Sequence, residues 1–373
     1  MNSENTIKVR NPIFTQCRNR RAAPKPTHTR SAETHVQRGH PILKHAQHSK
    51  PNNKSGIEES AMENIIEVRG LVKQYKELRA LDGLDLDVKK GRILGLLGPN
   101  GSGKSTTINC ILSLLSKDAG SVKIYGREMS PEAYDIKRKI GVVFQDVGVF
   151  EELTVYENID YFCGLYIRDK KHRQELVQET LDLVALNDFT KFKPKKLSGG
   201  LLRRLNIACG IAHRPEIIIF DEPTVAVDPQ SRNKILEGIR ELNEKGATII
   251  YTSHYMEEVE LLCDDIVIID KGKVIAKGSA AQLKDMIDLN EKVTFKTENF
   301  GDQTIGRIKS MDHVIDVDYK NGTCSISLSH GNDNLLNLIQ ILGQEGVSYD
   351  SLSSEKPTLN DVFLDLTGKE LRD

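Results

Sequence analysis

From Glu63 to about Leu289, short apolar runs alternate with amphipathic stretches. Ile65-Ile66-Glu67-Val68 opens the first periodic segment, and Leu84–Val88 and Ile93–Leu97 read as strands. Ser105–Leu115 reads as a helix, because Ile108, Ile111, Leu112 and Leu115 recur on one face. Val122–Tyr125 and Ile140–Phe144 return to strand patterning, and Leu176, Thr180, Leu181 and Val184 recur at helical spacing. Ile217–Phe220 and Thr248–Tyr251 are continuous β-branched or aromatic runs, as buried strands require. Val267–Ile269 and Val274–Ala276 flank a Lys271-Gly272 turn and predict a hairpin. Strands alternating with helices predict an α/β domain with a largely parallel sheet. Residues 290–373 differ: Lys292–Thr297 and Thr323–Leu328 alternate as strands and Leu335–Leu342 is helical, which predicts a small α+β accessory domain.

Composition narrows the classes. With 373 residues the chain has room for two or three domains. Its 38% hydrophobic and 28% charged residues disfavour collagen, coiled coil and wholesale disorder. The longest apolar runs, such as Ile217–Phe220, fall far short of the roughly 18 residues a membrane helix needs. The chain is therefore expected not to cross a bilayer by itself. Six cysteines stand singly, without a CxxC pair, which points to a reducing compartment and no structural zinc.

Charge separates a tail from the rest. Residues 1–61 carry eleven Lys and Arg against four Asp and Glu, while the whole chain is at net -1. The tail has no sustained apolar periodicity and reads as disordered. No apolar segment of 7–15 residues follows its basic start, so a secretory signal is disfavoured. An organelle transit peptide and a basic arm for anionic lipid or nucleic acid stay open. So does an upstream extension of the reading frame, with the natural start at Met62.

The most specific local pattern is Gly98-Pro99-Asn100-Gly101-Ser102-Gly103-Lys104-Ser105-Thr106, between an expected strand and an expected helix. It fits G-x-x-x-x-G-K-S/T, the phosphate loop. Glycines let successive backbone N–H groups curl around phosphate oxygens, and the helix presents its positive end to the anion. Lys104 would reach the β- and γ-phosphates and the Ser105 hydroxyl would coordinate Mg2+. A mere glycine-rich turn is the competing account, and the flanking strand and helix speak against it. The glycine spacing is also not that of a dinucleotide fingerprint.

A second site is Ile217-Ile218-Ile219-Phe220-Asp221-Glu222, an apolar strand ending in two acids. Acids at such a tip are costly without cations or hydrogen-bond donors. Neighbouring strand residues point to opposite sides, so one carboxylate can serve a metal while the next faces a water. Asp221 is assigned to Mg2+ and Glu222 to positioning and deprotonating the attacking water. The plain alternative is a solvated Asp-Glu pair that starts the turn at Pro223.

Leu197-Ser198-Gly199-Gly200 precedes a helix and lies about twenty residues before the two acids. In that order and spacing the chain resembles an ABC ATPase, the nucleotide-binding subunit of ABC transporters, over roughly residues 63–373. The resemblance implies a P-loop cassette over 63–289, with a mainly parallel core sheet, antiparallel strands and a helical subdomain at about 146–210. It implies that Tyr75 stacks on adenine and that all of Gly98–Thr106 binds nucleotide. Gln145 would touch Mg2+ and the water, Asp228 would lie in the loop communicating between two sites, and His254 would contact the γ-phosphate. Ser198, Gly199 and Gly200 would bind the γ-phosphate held by a second subunit, so that a homodimer or heterodimer sandwiches two ATP molecules.

Two residues depart from the family pattern. Leu201 stands where many members have Gln, and Ala226 replaces a frequent Gly. Neither removes a group that binds phosphate or metal, so hydrolysis is expected to survive. Pro357–Lys369 and Gly199–Asn233 are similar to the bacterial drug, antibiotic and lantibiotic exporter branch. Read from the residues alone, Leu359, Val362, Phe363 and Leu366 form an apolar stripe expected to dock on the cassette. The expected protein is an Mg-dependent ATPase subunit at the cytoplasmic face of a membrane, powering a separate multi-spanning permease, with no nucleic-acid partner. Phe150–Asn158 is the candidate permease contact. A non-transport ABC ATPase of DNA repair or translation, and an ATP-gated regulatory module, are the rival readings.

Overall fold

The computed structural model describes residues 63–298, 300–329 and 334–368. The basic tail, Met62 and Lys369 lie outside them. The described chain starts with a long hairpin, β1 (Asn64–Tyr75) and β2 (Leu78–Lys89), then β3 (Ile93–Leu97) leads into α1 (Lys104–Ile111). Next come β4 (Ala119–Ile124), β5 (Arg127–Glu128), α2 (Tyr134–Lys137) and β6 (Ile140–Val143). Between β6 and the next strand the chain is helical: α3 (Val155–Gly164), α4 (Lys170–Leu183), two short 3-10 turns and α5 (Gly199–Ile211). Then follow β7 (Ile217–Asp221), α6 (Pro229–Glu244), β8 (Thr248–Ser253), α7 (Met256–Leu262), β9 (Asp265–Asp270), β10 (Lys273–Gly278) and α8 (Ala280–Lys284). The C-terminal part is β11 (Leu289–Lys296), α9 (Asp302–Lys309), β12 (Val314–Lys320), β13 (Thr323–Ser329), α10 (Asn334–Gln344), β14 (Asp350–Glu355) and α11 (Leu359–Thr367).

Three sheets result. The central one runs β10-β9-β3-β8-β7-β6, parallel except for the β9–β10 hairpin. Strands β3, β7 and β8 are buried on both faces, as their continuous apolar runs require. Ile218 and Phe220 enter a core under α3–α8, while Ile217 and Ile219 enter a second core shared with the first hairpin. That second core is roofed by an antiparallel sheet of order β2-β1-β4-β5. The hairpin strands are each twelve residues long and carry several register shifts. Those bulges break the two-residue alternation, so the sequence reading caught only Ile65–Val68 and Leu84–Val88. Helix α1 also ends before the expected Leu115, because Ser113 takes a left-handed φ of 49°.

Residues β11 to β14 follow a β-α-β-β-α-β order with the sheet arranged β12-β13-β11-β14, every neighbour antiparallel. This is the ferredoxin-like, split βαβ arrangement, with its own core of Val293, Phe295, Ile326 and Leu338. Helix α11 leaves that core. Leu359, Val362 and Phe363 bury against the cassette core beside α7 and α8, whereas Leu366 remains 41% exposed. Thr358 starts the helix with a capping box to Asp361. Among the described residues no helix is long and apolar enough to cross a membrane.

Candidate nucleotide site

Strand register brings the candidate residues to one edge. In the parallel sheet Leu97 is level with Ser253, and Asp221 with Thr252. The segments that leave β3, β7 and β8 therefore emerge side by side, at the carboxyl ends where open α/β sheets bind ligands. These segments carry Gly98–Thr106, Glu222 and His254.

The loop is shaped by close backbone approaches. A Cβ on Gly98 would come within 2.2 Å of the Ile269 carbonyl oxygen. Gly103 has φ 112°, and a Cβ there would lie 2.9 Å from the Ala80 oxygen. From the far side, Gly272 donates its N–H to the Ser102 carbonyl at 2.9 Å and accepts from the Asp82 amide at 3.0 Å. The Lys271-Gly272 turn, with φ of 47° and 76°, thus braces the loop. Gly103 is the N-cap of α1 and supplies no side-chain cap. The first-turn amides of α1 are therefore free of competing side-chain acceptors and suited to an anion.

The charged groups are buried together. Lys104, Asp221 and Glu222 are 5%, 5% and 6% exposed. Lys104 Nζ donates to the Gly98 carbonyl at 2.8 Å and the Pro99 carbonyl at 3.3 Å, and lies 3.2 Å from Glu222 Oε1. Ser105 Oγ is 3.4 Å from Asp221 Oδ1. The same carboxylate oxygen accepts from Thr252 Oγ1 at 2.7 Å, and the Thr252 hydroxyl in turn accepts from the Glu222 amide at 2.9 Å. Thr252 thus fixes both acids, a role its sequence position beside His254 did not reveal. His254 Nδ1 lies 3.5 Å from Glu222 Oε2, close in charge but outside hydrogen-bond alignment. Glu222 adopts φ 49°, a left-handed backbone that costs roughly 1–3 kcal/mol for a non-glycine residue and aims its carboxylate back toward Lys104. Ser105 and Asp221 offer two hard oxygen donors. Among the described residues no cluster of three His, Cys, Asp or Glu could hold a metal. That donor set suits Mg2+, which takes one or two protein oxygens and completes its shell with phosphates and water.

The other candidates sit elsewhere. Ser198 caps α5, its Oγ accepting from the Leu201 amide at 3.3 Å. Asp228 caps α6, and the Ser231 amide donating to it holds its carboxyl below the usual range. A Cβ on Gly200 would strike Ser231 Oγ at 2.2 Å and Asp228 Oδ2 at 2.7 Å, so these two helix starts are packed against each other. Among the described residues no hydrogen bond or ion pair links Ser198, Gly199, Gly200 or Asp228 to the Gly98–Thr106 loop. Tyr75 closes β1 with its ring 44% exposed and Lys73 Nζ 5.6 Å from the ring centre. Gln145 is exposed, and its backbone oxygen accepts from Arg203 at 2.6 Å.

Sequence reading quoted Arg203 only as part of a resemblance. This α5 side chain is 5% exposed and donates to five carbonyls: Phe144, Gln145, Asp221, Glu222 and Pro223. Burial lowers its pKa from the usual value. Five acceptors in a planar fan are matched by the five donors of a guanidinium and by no other side chain. Asn158 has a similar role in the helical region. Fully buried, it bonds both backbone groups of Phe150 and the carbonyls of Leu153 and Thr154.

Comparison with known proteins agrees with this geometry. Residues 81–225 match the family model described as ABC transporter. The chain is 38% identical over 311 residues to the linearmycin resistance ATP-binding protein LnrL of Bacillus subtilis, covering 83% of this chain and all of that one. It is 33% identical over 313 residues to the Nod factor export ATP-binding protein I of Cupriavidus pinatubonensis, covering 84% and 94%. Among solved structures, an ATP-binding cassette dimer in a post-hydrolysis state with ADP and Pi superposes with TM-score 0.53 at 29% identity. It covers 57% of this chain and 98% of its own.

Proposed function

The chain belongs to the ABC transporter ATP-binding proteins, which bind and hydrolyse ATP, and from that premise we propose that it is the motor subunit of an exporter. In this reading two ATP-binding subunits, alike or different, sandwich two ATP molecules and drive a separate multi-spanning permease from the cytoplasmic face of the membrane. The cargo is a drug, antibiotic, peptide or similar molecule, in keeping with relatives named for linearmycin resistance and Nod factor export. The observation that carries the reading is the division of the site. Lys104, Ser105, Asp221, Glu222 and His254 form one half, while Ser198, Gly200 and Asp228 form another that, among the described residues, makes no hydrogen bond or ion pair to it. A second chain supplies the missing half to each nucleotide.

Within one half the residues divide the work. The Gly98–Thr106 amides and Lys104 hold the phosphates, and Tyr75 takes the adenine face. Ser105, Asp221 and Gln145 would hold Mg2+, which neutralises developing charge on the phosphate oxygens. Thr252 donates to Asp221 Oδ1, leaving the other carboxylate oxygen for the metal. Glu222 orients the attacking water and takes its proton, with Lys104 Nζ 3.2 Å from one of its oxygens, and His254 contacts the γ-phosphate. Asp228 passes the state of one site to the other.

The permease contact is assigned to Phe150–Asn158 and its apolar surroundings. Phe150 packs edge-on against Tyr161 at 4.9 Å; Phe144, Val147 and Leu165 are exposed nearby in sequence, and exposed Phe192 accepts through its carbonyl from the Val155 amide at 2.8 Å. The test is recovery from gently solubilised membranes with tagged Glu222→Gln protein and ATP. Glu222→Gln should keep ATP binding and lose at least about a hundredfold in turnover. One multi-spanning polypeptide should come with it. Ribosomal or DNA-bound proteins alone would remove the transporter reading, and near wild-type hydrolysis would remove the role given to Glu222.

A further inference from the structure

Behind the site, side chains from three segments meet on one buried carboxylate. Glu258, in the first turn of α7, is 3% exposed. Its Oε2 accepts from Tyr251 OH at 2.7 Å, Thr224 Oγ1 at 2.8 Å and Ser253 Oγ at 3.2 Å. Its Oε1 lies 3.2 Å from Nε of Arg232 on α6. These partners are not scattered. Thr224 sits between Glu222 and Asp228, Tyr251 and Ser253 lie just before His254, and Arg232 donates its backbone N–H to the Asp228 carbonyl at 2.9 Å. Arg232 also places its guanidinium 4.7 Å from the ring centre of Tyr255, and that ring lies 4.2 Å from His254.

A buried ion pair is seldom kept for stability alone, since apolar residues of similar volume commonly serve as well or better. This pair also has slack. Arg232 Nε and Glu258 Oε1 are close, yet neither is in a hydrogen bond and both are buried. Buried polar atoms left this way call for a reason.

We propose that Arg232 and Glu258 are positioning residues that couple the Asp228 loop to His254. Displacement of the α6 start is passed through Arg232 to Glu258 and Tyr255, and from them to the end of β8 that carries His254. The coupling rests on the two-site reading of Asp228 and His254 given above.

The test uses steady-state ATP hydrolysis by the full chain across ATP concentration. Arg232 is 29% exposed in its side chain and Glu258 keeps three hydroxyl donors without it, so Arg232→Met is first checked for a wild-type unfolding midpoint, and Arg232→Lys serves as the folded control. Arg232→Met should lower kcat about tenfold with KM changed by no more than about twofold, and bring the Hill coefficient down to one. Glu258→Gln, which keeps shape and acceptor but not charge, should also lose the cooperativity. Arg232→Lys should restore most of it. Wild-type kcat and Hill coefficient in Arg232→Met would overturn the proposal, as would a loss that Arg232→Lys does not relieve. Asp228→Asn separates the two levels. If it abolishes cooperativity while Arg232→Met keeps it, the coupling falls and the two-site reading stands. A wild-type Hill coefficient of one removes both.

Discussion

The two halves of the proposed nucleotide site are built from opposite materials. Around Lys104 the chain buries three charged side chains, and each is answered by a neighbour within the same chain. Around Ser198 it presents two capped helix starts, with Ser198 and Gly199 exposed and only Gly200 buried. The first half is rigid because removing any member strands a buried charge. The second is a surface of backbone amides and small side chains, suited to closing over an anion delivered from outside. In the proposed reading, chemistry is concentrated where water is excluded, and recognition of the closed state where it is not.

Perturbing each half should therefore give different signatures. The largest effect is expected from Lys104→Ala, which should weaken ATP binding by the single chain about a hundredfold or more, measured by titration with a fluorescent ATP analogue. Arg203→Met comes next. It removes the donor from five carbonyls and should lower unfolding free energy by about 3 kcal/mol, read from denaturant midpoints at constant slope. Ser198→Ala should cost about 1 kcal/mol of helix capping and lower hydrolysis, while ATP affinity of the single chain stays unchanged. If Ser198→Ala weakened that affinity as much as Lys104→Ala, the division into halves would collapse. The smallest effect concerns Ala226, held at φ 58°. A left-handed alanine costs roughly 1–2 kcal/mol, against roughly 0.5–1 kcal/mol of added chain entropy for glycine. Ala226→Gly should then raise stability by up to about 1 kcal/mol, seen as a small rise in the unfolding midpoint.

Much of the first half was legible because its signals are local. The glycines, Lys104 and Ser105 fall within eight consecutive positions, and the acids terminate an unbroken apolar strand. Thr252 and Arg203 were hidden because their partners lie far along the chain: 31 positions separate Thr252 from Asp221, and 58 separate Arg203 from Gln145. Nothing periodic marks such contacts. The bulged β1–β2 hairpin was only half visible because each register shift resets the alternation. In the C-terminal part β11, β13, α10 and the apolar stripe of α11 were readable, while α9, β12, β14 and the order of the strands in the sheet were not. A strand order resides in pairing, and β11 finds β13 and β14 rather than its nearest neighbour in sequence.

The placement of β3 has a consequence for synthesis. Both strands that flank it, β8 and β9, are encoded more than 150 positions later, and the turn that braces the phosphate loop later still. At about 5–20 residues per second, Ile93–Leu97 leaves the ribosome roughly ten to thirty seconds before its neighbours exist. During that interval an entirely apolar strand has both edges open. Each newborn molecule therefore passes through a window in which two nascent chains on one message can pair with each other. Slower translation between β3 and β9 would lengthen that window, and a chaperone that covers Ile93–Leu97 would close it.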